Sequence, residues 1–168
     1  PAIDALKTSL ALADNSAVIG VSAIESKMRV LLIEGVPYWD SKFLVQLLRR
    51  QPNLEVTSVY RLSADRFFRV ETDVTNVTES STAIFPDDAD SLGRYDVVIV
   101  GKGIEYFLTP QRARLLREFV ADGGCLIFSR GKPYNGVLPE MEPVEPVEWG
   151  GAFDGPFKLV PTATGEDE

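Results

Sequence analysis

Three continuous apolar runs punctuate the chain. "KMRVLLIEG" is apolar from Met28 to Ile33 save for Arg29 and ends on Gly35, and "YDVVIVGKG" and "CLIFSRG" repeat the form. Short continuous runs bounded by turn residues read as strands buried on both faces of a parallel sheet. "LEVTSVYRL" reads as a further strand, second in chain order. Between them the period changes. "DSKFLVQLLRRQP" predicts a helix with Asp40 or Ser41 as N-cap, Phe43, Leu44, Leu47 and Leu48 on one inward face, and Pro52 as its stop. "TPQRARLLREFVADGG" predicts another, with Thr109 as N-cap and Pro110 at the first position. Leu115, Leu116, Phe119 and Val120 point inward, and Gly123 marks the exit.

The remaining segments are less regular. "PAIDALKTSLALAD" places Ile3, Leu6, Leu10 and Ala13 at helical spacing, and "SAVIGVSAI" favours a strand over a helix. "RFFRVE" fits an extra strand, "TDVTNVTESSTA" an exposed polar loop, and "PDDADSLGRY" one or two helical turns capped by Asp87. Asn76-Val77-Thr78 matches a glycosylation sequon, a triplet common by chance. After Pro133 the chain is rich in Pro, Gly and Glu and reads as irregular. Alternating strands and helices build an α/β fold joined by right-handed crossovers. The expectation is a flavodoxin-like parallel sheet, order 2-1-3-4, with helices on both faces. Residues 1–27 form an N-terminal helix and connection, 28–135 the α/β domain, and 136–168 a C-terminal extension. Val30, Leu32, Val98, Val100, Leu126 and Phe128 are expected in the core, with none of these three runs at an edge open to water.

Composition narrows the function classes. A net charge of −8 over 168 residues argues against a nucleic-acid surface, which needs clustered Lys and Arg. One cysteine and no histidine exclude an internal disulfide and the usual zinc sites. No run reaches the length of a membrane span. The opening at Pro1, with no basic leader, leads us to expect a piece excised from a longer polypeptide, and "TGEDE" a frayed acidic tail. No cofactor motif is read; "GKG" lacks the spacing and the following helix of a phosphate loop.

Ligands of open parallel sheets gather at the carboxyl ends of the strands. Three tips, "EGVPYWD", "GKGIEY" and "SRGKPY", bring candidate ligand-binding residues there: Glu34, Trp39, Lys102, Glu105, Arg130 and Lys132. They suit a small polar or anionic molecule; the plain alternative is that these charges pair with one another or with water. Trp39 and Phe43 fit core or interface better than a cofactor stack. Cys125 opens its strand, some 15 Å from the carboxyl edge at about 3.3 Å per residue. With no imidazole to activate it, the thiol reads as a buried spacer and no catalytic residue is assigned.

The path "VLLIEG…WDSKFLVQLLRR" followed by "YDVVIVGKG…LTPQRARLLREFVADGGCLIFSRGKP" resembles the class I glutamine amidotransferase-like superfamily. It is most similar to the uncharacterised amidotransferase-like domains of large bacterial membrane proteins. The likeness covers about residues 28–135. In active members, the resemblance implies, a Gly-flanked Cys follows the last of these strands and a His–Glu pair lies further on. Here that position falls near Arg130 in "FSRGKP", and both triad partners are missing. Three functions remain open: a non-catalytic binding or interaction module, an enzyme using Glu34, Lys102, Glu105 or Arg130, and a structural spacer. The module would belong to a membrane-anchored bacterial protein, as a soluble part on either side of the membrane. Its partners would be other domains of the parent, a small ligand or a second copy, with no nucleic acid.

Overall fold

A computed structural model describes residues 26–36, 38–73, 75–151 and 154–156. The helix expected over residues 1–14 and the strand expected in 16–24 lie outside them. The fold is mixed α/β. Six strands, β1 (Met28–Glu34), β2 (Leu54–Ser63), β3 (Arg66–Val70), β4 (Val77–Ser80), β5 (Val97–Val100) and β6 (Cys125–Phe128), form one sheet of order β4-β3-β2-β1-β5-β6. The strands β2, β1, β5 and β6 pair in parallel. An antiparallel hairpin, β3–β4, extends the sheet beyond β2, so the whole is six-stranded rather than 2-1-3-4. The stretch expected to be an exposed loop contains β4. It has no apolar face of its own, and its ladder with β3, aided by the Arg66–Glu79 pair, holds it in place. A short charged strand also protects a sheet edge from foreign pairing.

Among the described residues three α-helices flank the sheet: α1 (Trp39–Arg49), α2 (Ala89–Leu92) and α3 (Pro110–Ala121). On one face Leu31, Ile33, Val98 and Val100 pack with Leu92 of α2 and Leu116 and Phe119 of α3. On the other, Val30, Leu32, Val56 and Ile99 pack under Leu44, Val45 and Leu48 of α1. Each such side chain contributes about 1.5–3 kcal/mol through burial. Thr109 caps α3 by accepting from the Arg112 N–H, with Pro110 at the first position. The cap of α2 is Asp88, not Asp87, whose carboxylate pairs with Arg112 instead. Helix α1 begins at Trp39 with no side-chain cap, so neither Asp40 nor Ser41 plays that part. Of its expected inward residues only Leu44 and Leu48 face the sheet; Phe43 and Leu47 are exposed.

β6 departs most from expectation. It is an edge strand whose Cys125 and Ile127 face outward while Leu126 and Phe128 are half-buried. Its parallel pairing with β5 holds nonetheless. No helix among the described residues covers the α1 side of β6. The chain beyond it returns on the opposite face, where Tyr134, Leu138, Met141 and Val144 join the core of α3. Cys125 is therefore an exposed thiol and not a buried spacer.

Candidate functional site

Glu34 ends β1, the strand flanked on both sides by parallel neighbours, and its side chain lies over the carboxyl edge of the sheet. It is 3% exposed. Its Oε2 accepts from the Ser41 hydroxyl at 2.7 Å, and its Oε1 from the Lys102 backbone N–H at 2.9 Å. The carboxylate lies against the backbone of Gly101, where a Cβ would come within 2.1 Å of Oε2. Ser41 stands on the inward stripe of α1, one turn ahead of Leu44 and Val45, and so is carried over the strand tip. Its Oγ also accepts from Arg130 Nη2 at 2.6 Å. The same guanidinium donates to Asp40 at 2.5 Å and lies 4.8 Å from the centroid of the Tyr38 ring.

Burial pushes the Glu34 carboxyl above its ordinary value, partly offset by the bonds from Ser41 and Lys102 and by the charge of Arg130. A raised value means the folded state binds the proton more tightly, so stability falls as pH rises. The contribution is fully present below the unfolded value near 4.5 and is lost as pH climbs through the raised one. Glu71, Asp73 and Asp88, all held low, act in the opposite sense but equally in wild type and Glu34→Gln. Urea unfolding from pH 4 upward should therefore show wild type losing stability relative to Glu34→Gln. A difference that grows in the other direction would mean that hydrogen bonding outweighs burial at this carboxylate.

The expected site residues divide. Glu34 and Arg130 are brought together, bridged by Ser41, which the sequence suggested only as a helix cap. A serine at an apolar-stripe position of α1 was the available signal. Lys102 joins through its backbone alone, and its side chain is exposed. Glu105 and Lys132 anchor the loop beyond β6: Glu105 accepts from Asn135 at 2.7 Å, and Lys132 donates to the Gly136 carbonyl at 2.6 Å. In the same loop the Tyr134 hydroxyl donates to Glu145, and burial together with that carboxylate raises the phenol well above its usual range. Trp39 is 75% exposed, edge-on to Phe43 and outside the core. Among the described residues no cluster of three metal-ligating side chains occurs, and no helix is long and apolar enough to cross a membrane. Comparison of the chain with protein-family models, with curated proteins and with solved structures finds no match.

Proposed function

We propose that this chain is a non-catalytic binding or interaction module of the glutamine amidotransferase-like kind, carried on a flavodoxin-like sheet by a larger, membrane-anchored bacterial protein. The observation that carries this reading is the closed network at the vacated nucleophile position. Arg130 donates to Asp40 and Ser41, and Ser41 donates to Glu34. A convergent, partly buried tip favours binding over a spacer, whose charges would point outward. Covalent amide hydrolysis needs a nucleophile beside a base. Glu34 has both oxygens occupied, the chain has no histidine, and the thiol lies at the opposite end of β6. The parallel run β2-β1-β5-β6 supports the flavodoxin-like order, with the β3–β4 hairpin added outside it.

The contact surface in this reading is the ridge of Trp39, Phe43 and Leu47 along α1, all three exposed. Its occupant is a helix from a neighbouring domain of the same polypeptide. A four-residue spacing puts the three side chains on one flank of the helix. They lie on the far side of α1 from Leu44, Val45 and Leu48, which pack on the sheet, and so face solvent.

The test has two arms. Wild type and Cys125→Ser should both release no ammonia from glutamine; turnover that disappears in the Ser variant would overturn the non-catalytic reading. A surface kept for a partner is dispensable to the fold, so Trp39→Ser with Phe43→Ser should shift stability by no more than about 0.5 kcal/mol per site. A much larger loss would make the ridge part of the fold and end its role as a contact surface.

A further inference from the structure

The flank of α1 turned toward β2 borders a cleft of about 360 Å³. Its floor is apolar, made by Leu32, Val45 and Val70, and Ser58 and Tyr60 stand on its β2 wall. Two cations line it, Lys42 and Arg49. Arg49 is half-buried, and its Nη2 donates to Ser58 Oγ at 2.8 Å and to the Val70 carbonyl at 3.0 Å. Its Nε is buried without a partner. Among the described residues neither cation forms an ion pair. Glu71, the carboxylate whose charge Arg49 senses, is taken up by Arg69 and Thr57. Glu34, the acid on the cleft wall, has both oxygens bonded elsewhere. Burial accordingly pushes the Arg49 guanidinium below its ordinary value.

In a chain of net charge −8, a half-buried arginine without a carboxylate is costly unless something supplies one. We propose that this cleft is a binding site for a small monocarboxylate with an apolar body, its carboxylate drawn to Arg49 and Lys42 and its apolar part resting on Leu32, Val45 and Val70. At interior packing density the volume suits a ligand on the order of ten non-hydrogen atoms. At one end the cleft shares Glu34, Tyr38 and Ser41 with the Arg130 network, but the proposal rests on Arg49 and Lys42 and does not depend on the amidotransferase-like reading.

The test is an NMR titration of the full chain with phenylpropionate, its neutral amide phenylpropionamide, and acetate. Phenylpropionate should give saturable shifts at the Val45 and Ser58 amides with a Kd in the millimolar range or below. The amide should bind about tenfold more weakly for want of charge-assisted bonds. Acetate should bind about tenfold more weakly for want of buried apolar area. Lys42→Glu changes an exposed side chain and keeps the fold, and should weaken phenylpropionate about fivefold or more; Arg49→Met should weaken it further. Four results would each overturn the proposal: no saturable binding up to about 10 mM, shifts confined to another surface, an amide or acetate as tight as phenylpropionate, or Lys42→Glu without effect.

Discussion

Gly35→Ala is expected to lower the unfolding free energy by about 3 kcal/mol, the upper range for forced overpacking. A Cβ at this position would lie 1.5 Å from the Gly103 carbonyl oxygen and 2.1 Å from its carbon, both backbone atoms that cannot rotate away. The two segments are tied together, since the Gly35 and Val36 N–H groups both donate to the Lys102 carbonyl. β1 cannot yield, being paired along its length with β2 and β5. Relief therefore requires the turn after β5 to move, which draws the Lys102 N–H off Glu34 and loosens the tip network. Gly123→Ala is the control: its φ is +94°, but nothing lies within 4 Å of the added methyl. It should cost only backbone strain, about 1–2 kcal/mol. Urea denaturation of the three proteins decides the matter; a Gly35 variant no less stable than the Gly123 variant would refute the close approach.

Met141→Ala is the second large effect, expected at about 2–5 kcal/mol from lost burial and the cavity left behind. That is a sizeable share of a typical domain's 5–15 kcal/mol. Met141 is 0% exposed although it stands in a stretch of turns and one short 3-10 helix, Glu142–Val144. It belongs to the same cluster as Leu116 and Phe119 of α3, with Leu138 and Val144 packed beside it. The segment acts as the cover that a further helix would otherwise supply on this face. Met141→Leu, which preserves volume, should cost under about 1.5 kcal/mol. If the alanine variant melts with wild type, the segment only drapes over the domain and is no part of its core.

Much of the architecture was legible because burial on both faces leaves a one-dimensional trace. The runs around Leu31, Val98 and Ile127 each mark a strand of the parallel sheet, and Thr109-Pro110 marks the start of α3 through local cap chemistry that needs no tertiary partner. Positions decided by neighbours distant in sequence were not legible. Cys125 and Ile127 are as apolar as Val98, yet their face is open because no helix among the described residues covers it. Phe43 and Leu47 share the helical period of Leu44 and Leu48 but fall on the flank turned away from β2. β4 carries no apolar face and exists through its ladder with β3. The same division runs through the site. The sequence by itself determined that Glu34 ends one strand, that Arg130 follows another and that the chain lacks a triad, because strand ends and residue types are local facts. Only the tertiary structure decided that Ser41 bridges the two and that Arg49 lines a cleft with no ion-pair partner among the described residues. Hydrogen bonding and desolvation depend on which side chains converge in space, and a helix crossing over a strand tip brings together residues about ninety positions apart.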